Sequence, residues 1–147
     1  MLCSLGRSGI GLKKGEGDGF TPRGQFSLVS GMIRPDRVLI RSCQFDLSLI
    51  GEHDGWCDAV GDRNYNRPVN LPYTASHEVL KRGDNLYDII LVMDFNITRH
   101  LPLGGSAIFF HLAHEDYRPT EGCVAIAHRD MEWLLPRIGP ETQMQIG

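Results

Sequence analysis

The sequence predicts a mainly β fold: a mixed sandwich or partly closed barrel with one C-terminal helix. Three observations lead there. Apolar runs are short, and several alternate with polar residues. Glycine, 17 of 147 residues, separates them in turn-like clusters. Helical periodicity is confined to two short segments, of which the one near the C-terminus is the longer.

Taken in order, residues 2–5 read as the start of a strand. The stretch GRSGIGLKKGEGDGFTPRG at 6–24 reads as glycine turns joining short strands. A phosphate loop is disfavoured there, because G-x-x-x-x-G-K-[ST] is absent and Glu16 and Asp18 repel phosphate. Strands are predicted over 25–30 (QFSLVS), 38–42 (VLIRS) and 45–50 (FDLSLI). The run YDIILVMDF at 87–95 is the longest and reads as a central strand. SAIFFHL at 106–112 follows the Gly104-Gly105 turn, GCVAIA at 122–127 is short and apolar, and MQIG closes the chain. SHEVLKR at 76–82 is predicted as one or two helical turns capped by Ser76. Residues 128–138 place Met131, Leu134, Leu135 and Ile138 on one helical face, with Gly139 as the stop and Pro136 ending or kinking the helix early. The polar, aromatic segment 51–73 is predicted as a long loop of functional rather than connective character.

Composition narrows the function classes. A chain of 147 residues is read as a single domain spanning 1–147. At 41% apolar and 22% charged it has ordinary globular composition. No apolar run approaches the ~20 residues of a membrane span. Net charge is −3, and 12 Arg with 3 Lys form no basic stripe, which argues against nucleic-acid binding. The first ten residues lack the basic and apolar regions of a secretory signal.

The four cysteines, Cys3, Cys43, Cys57 and Cys123, have no C-x-x-C or paired zinc spacing. One of them sits in a chemically suggestive setting. A strand ends in His111, a polar loop follows, and Thr-Glu-Gly-Cys leads into the next strand. A thiol becomes an effective nucleophile when a base takes its proton. Twelve residues separate His111 from Cys123, enough for the loop to fold back and bring imidazole to thiol. Gly122 permits close approach to the backbone, and the amides of Gly122 and Cys123 are placed to face an oxyanion. The alternative is an inert, buried cysteine, which is the commoner fate of a lone thiol in a strand.

Several motifs together resemble the L,D-transpeptidase catalytic domain, the YkuD-like family. GDGFTPRGQF at 17–26 resembles its T-P-x-G-x-F segment, GSAIFFH at 105–111 its histidine strand, and TEGCVAI at 120–126 its [S/T]-x-G-C motif. DGWCD at 54–58 and YNRPV at 65–69 resemble a branch of small bacterial members. The pieces occur in the family's order across nearly the whole chain.

The resemblance implies a cysteine acyltransferase acting on peptidoglycan stem peptides, with Cys123 as nucleophile and His111 as base. It implies no cofactor, covalent inhibition by carbapenems and the cell envelope as location. The cytoplasm is the alternative location, because no export signal is visible. His111, His114 and Cys123 offer no convincing ligand set, so no metal is expected. Thr120, Glu121 and Gly122 fall in its nucleophile motif. Two positions depart from it: Glu121 stands where most members have His, and Ala125 where most have Arg. Arg118 or Arg129 is the nearby candidate to supply that arginine. Asn96 is a side-chain candidate for orienting His111 or touching substrate; equally, it is a turn residue ending a strand. A cysteine hydrolase on the same site and a non-catalytic cell-wall binding module are the alternatives. Zinc on His111, His114 and Cys123 is disfavoured, because strand positions three apart face opposite sides. Trp56 and Tyr65 either line a peptide groove or anchor their loop on the core.

Overall fold

The computed structural model describes residues 1–40 and 42–147. Its main sheet has the strand order β1-β11-β10-β9-β4-β12, with β5 also paired to β4. These strands are β1 (Cys3–Ser4), β4 (Gly24–Ile33), β5 (Leu47–Leu49), β9 (Ile89–Met93), β10 (Phe109–Leu112), β11 (Val124–Ile126) and β12 (Gln143–Ile146). Short β2 (Ile10–Gly11) and β3 (Thr21–Pro22) pair in the N-terminal turns, as the glycine-rich reading predicts. A second sheet, ordered β7-β6-β8, comprises β6 (Asp54–Cys57), β7 (Arg67–Asn70) and β8 (His77–Val79). The result is a mixed β-sandwich, open rather than closed into a barrel, with one short C-terminal helix.

The central strand β9, IILVM, is buried at every position because both faces of the main sheet are covered. Strand alternation then sorts the side chains. Phe110, Leu112, Val124 and Ile126 point to one face with Leu91, Met93 and Leu28, against Met131 and Leu135 of the C-terminal segment. Phe109 and Cys123 point to the other, with Ile90, Val92 and Tyr87, against Trp56 of the second sheet. Parity places His111 and Ala125 on this second face too.

Four expected elements differ. Residues 76–82 form no helix: His77–Val79 is a strand, because its backbone pairs with Gly55–Cys57 of β6, and that pairing overrides weak local helix preference. The segment 51–73 is largely the β6–β7 hairpin, with Trp56 opposite Pro68. Residues 38–40 and 42 are not in a strand; the Val38 amide instead closes a turn onto the Arg34 carbonyl, and Arg41 lies outside the described residues. The C-terminal helix α1 spans only His128–Leu134 and passes into a 3₁₀ turn at Leu135–Arg137, where Pro136 supplies no amide. No helix among the described residues is long and apolar enough to cross a membrane.

Candidate active site

Strands β10 and β11 run parallel, with His111 opposite Ala125. Cys123 stands two residues before Ala125, so it lies diagonally across from His111 on the same face. Their side chains meet in one cavity of about 450 Å³, whose wall on the far side is the second sheet. Both residues are buried: Cys123 is 9% exposed and His111 5%.

The thiol is held by backbone. Cys123 Sγ donates to the Ala107 carbonyl at 3.2 Å and accepts from the Phe109 amide at 3.4 Å. Burial pushes the thiol pKa up to about 12; the Phe109 amide opposes this, Glu78 adds to it, and Lys13 opposes it. On the ring of His111, Nδ1 lies 2.8 Å from the Leu112 carbonyl, which orients it as a donor and leaves Nε2 for chemistry. Burial pulls the imidazole pKa down to about 4, against the favourable carbonyls of Leu112 and Leu86. Tyr87 packs edge-on against the ring, centroids 5.2 Å apart. Thiol and imidazole are thus both neutral at pH 7 in the free protein.

The family model of the L,D-transpeptidase catalytic domain (YkuD) matches residues 1–146. The chain belongs to the L,D-transpeptidase catalytic-domain family. No curated protein and no solved structure gives a match.

The remaining residues of the family's nucleophile motif have defined places. Thr120 Oγ1 donates to the Cys123 carbonyl at 2.7 Å and accepts from the Gly122 amide at 3.1 Å, which clamps the turn before β11. The Gly122 amide is therefore engaged by Thr120 and not turned to the cavity. Gly122 itself has φ +139°, and a Cβ there would meet the Phe20 carbonyl at 2.9 Å, so no other residue fits without strain. Glu121, where most members have His, is exposed and paired with Arg7.

Most L,D-transpeptidases carry an arginine two residues after the cysteine, where this chain has Ala125. Ala125 is fully buried. Arg118 lines the cavity, with Nη2 donating to His114 Nδ1 at 3.1 Å. Arg129 lies on α1, exposed and beside Asp130, away from the cavity lining. Lys13 is the buried cation nearest the motif, its Nζ 2.7 Å from Asp18 Oδ1 and 3.3 Å from the Phe20 carbonyl.

Asn96 lies apart. Its side chain donates to the carbonyls of Leu101 at 3.0 Å and Gly105 at 2.9 Å and accepts from the Leu101 amide, so it organises its own loop. The Leu112 carbonyl orients His111 instead. Asn66 was not singled out in the sequence, yet it joins the two layers. Its Oδ1 accepts from Trp56 Nε1 at 2.9 Å and from the Ala107 amide at 3.0 Å; its Nδ2 donates to the Asn96 carbonyl at 3.0 Å. Trp56 and Tyr65 are both buried and so anchor their segment on the core. Ala107 has φ +50°, a costly conformation for a residue with a side chain, and Asn66 holds it there. The sequence signal for Asn66 is faint: an Asn in a hairpin turn, tolerant of its own φ of +56°. Glu78 and Tyr87 also line the cavity, Glu78 from the segment predicted as helix.

Proposed function

We propose that this L,D-transpeptidase-family chain is a cysteine acyltransferase acting on peptidoglycan stem peptides, with Cys123 as nucleophile and His111 as base. The observation that carries the reading is the diagonal placement of Cys123 and His111 on adjacent strands, facing one cavity of about 450 Å³. Among the described residues no group of three or more His, Cys, Asp or Glu is clustered as metal ligands.

In this scheme the thiol sulfur attacks the carbonyl carbon of the third residue of a stem tetrapeptide, a diaminopimelate or similar residue. Its proton passes to His111 Nε2 as the C–S bond forms. The tetrahedral oxyanion collapses, the C–N bond breaks, and the protonated His111 delivers that proton to the departing D-Ala amine. A thioester remains on Cys123. An acceptor amine then attacks the thioester carbonyl, its proton passes to His111, and the sulfur leaves to be reprotonated by the imidazolium. Both resting groups are neutral, so the proton moves in concert with attack rather than from a preformed thiolate. Arg118, at the cavity mouth, takes the part of the family's missing arginine in receiving a substrate carboxylate. The location that goes with this substrate is the cell envelope.

Intact-protein mass spectrometry after incubation with a stem tetrapeptide, and separately with a carbapenem, tests the reading. A covalent adduct on Cys123 and loss of D-Ala are expected. Product analysis with added acceptor amine separates transfer from hydrolysis. No adduct on Cys123 with either compound overturns the proposal.

A further inference from the structure

The cavity wall contributed by the second sheet is acidic. Glu78 on β8 and Asp58, just after β6, both line it. The two strands bring them together: Glu78 lies opposite Trp56, and the Asp58 amide donates to the Ser76 carbonyl at 3.2 Å. Glu78 is half-buried, and its hydrogen bond to side chains among the described residues is the Tyr87 hydroxyl on Oε2 at 3.2 Å.

Neither carboxylate forms an ion pair with a cation among the described residues. The basic groups of the cavity are engaged elsewhere: Lys13 with Asp18, Arg82 with Asp84, and Arg118 with His114. Asp58 Oδ1 is buried with no hydrogen-bond partner. A second, independent orphan lies in the same cavity. Ser106 is only 5% exposed, and its hydroxyl makes no hydrogen bond of ordinary geometry, although the Tyr65 hydroxyl lies nearby. Burial raises the proton affinity of Glu78, and nearby Asp58 and Glu16 raise it further, against the Tyr87 hydroxyl and Arg82. A carboxylate drawn from water without a counter-ion is unfavourable until a cation meets it.

We propose that Glu78, with Asp58 and the Ser106 hydroxyl, forms a site for a primary ammonium group of the peptide substrate. The proposal rests on the reading of Cys123 as nucleophile and deepens it by naming a charged group that the cavity receives. An ammonium offers three N–H donors, enough for two carboxylates and one hydroxyl. It can arrive from two sources. One is the side chain of the donor residue whose carbonyl is attacked. The other is the acceptor amine that resolves the thioester. In the second case the ammonium must lose a proton before its nitrogen can attack, and the Glu78 carboxylate is in place to take it.

The test uses the full chain carrying Cys123→Ala, so that binding is measured without turnover. Calorimetry compares a stem tetrapeptide donor with its side-chain amine free or acetylated, and an acceptor peptide with its amine free or acetylated. In one of the pairs the free amine should bind ~10-fold tighter, the worth of one charge-assisted hydrogen bond. A preference within the donor pair assigns the site to the donor side chain, and one within the acceptor pair assigns it to the acceptor. Glu78→Gln should remove the preference, and Glu78→Asp should keep part of it. Equal affinity in both pairs, or a preference that survives Glu78→Gln, overturns the proposal. The free-against-acetylated comparison needs no Glu78 variant, so poor folding of one does not shield it. Acylation of unmodified Cys123 by the donor is read separately. An adduct without ammonium preference defeats this site alone, and a preference without an adduct defeats the nucleophile reading alone.

Discussion

The thiol of Cys123 gives its hydrogen bond to the carbonyl of Ala107, 3.2 Å away, and not to His111. Ala107 is one of the few residues with a side chain held at positive φ, and the Asn66 side chain pins its amide. The free protein therefore holds a protonated thiol against backbone, beside a neutral imidazole. On the proposed mechanism, substrate binding brings the scissile carbonyl against the sulfur, and the thiol proton moves to His111 only as the attack begins.

Cys123→Ala should abolish turnover and leave the fold intact, because the lost volume is one sulfur at the cavity wall. Cys3 is exposed and Cys43 only partly buried, so Ser at either should keep full activity. Cys57 is fully buried, and Cys57→Ala should cost about 1 kcal/mol of stability while preserving kcat. Steady-state rates and urea unfolding of the four variants check this. Turnover by Cys123→Ala would remove the thiol from the mechanism.

The pH profile should lack an acid limb near the usual histidine value. The proposed base, His111, can accept a proton only when neutral, and burial holds its pKa down at about 4. The contribution of His111 to kcat/KM should stay level from about pH 7 to pH 5 and fall only as pH approaches 4, which a Glu78→Gln background reads without the Glu78 carboxylate. The thiol, pushed up to about 12, should alkylate with iodoacetamide at pH 7 more slowly than exposed Cys3. Faster labelling of Cys123 than of Cys3 would point instead to a preformed thiolate.

Stability should carry the same signature. The folded pKa of His111 is depressed, so the unfolded chain binds its proton more readily. The stability present above pH 6.5 is lost as pH falls through 6.5 towards about 4, by about 3 kcal/mol in all for this buried group. Glu78 acts oppositely, because its folded pKa is raised and acidification relieves a buried charge. The comparison that isolates His111 is unfolding free energy at pH 7 and pH 4.5 for the parent and His111→Gln. The variant should show the smaller acid loss.

Asn66→Ala should be among the most damaging changes outside the cavity. It leaves Trp56 Nε1 and the Ala107 amide unsatisfied in the interior, at a cost of about 2–4 kcal/mol. It also releases the strained Ala107 carbonyl that holds the thiol. Asn66→Asp retains the acceptor and should lose less. Urea unfolding gives the stability change, and kcat per folded molecule gives the positional one. A variant as stable and active as the parent would show that Ala107 holds itself.

Glu121 should tune rather than sustain activity. It is exposed and paired with Arg7, an arrangement worth about 0–1 kcal/mol. Glu121→Gln and Glu121→His should both retain turnover, whereas His111→Ala should lose ~10²–10⁴-fold. Rates for the three variants decide it. Equal losses in Glu121→Gln and His111→Ala would make Glu121 a member of the catalytic set.

Much of the framework follows from sequence alone. The short apolar run Ile89–Met93, rich in β-branched residues, reads as a strand covered on both faces, and Pro136 limits the C-terminal helix wherever it packs. The strand–loop–strand run from His111 to Cys123 contains its own geometry, since alternation and a short return loop leave few ways to separate the two side chains. The second sheet is different. His77–Val79 has no local reason to be a strand; it becomes one because Gly55–Cys57 offers an unpaired edge. That pairing carries Glu78 and Asp58 to the cavity, and the adjoining hairpin carries Asn66 to Ala107. Asn96, a plausible partner for His111 in the chain order, is instead held by Leu101 and Gly105. Periodicity and spacing report on neighbours along the chain and across one turn. Hydrogen bonds between residues forty positions apart, and the burial that moves the Cys123 and His111 pKa values in opposite directions, exist only once the two layers close on each other.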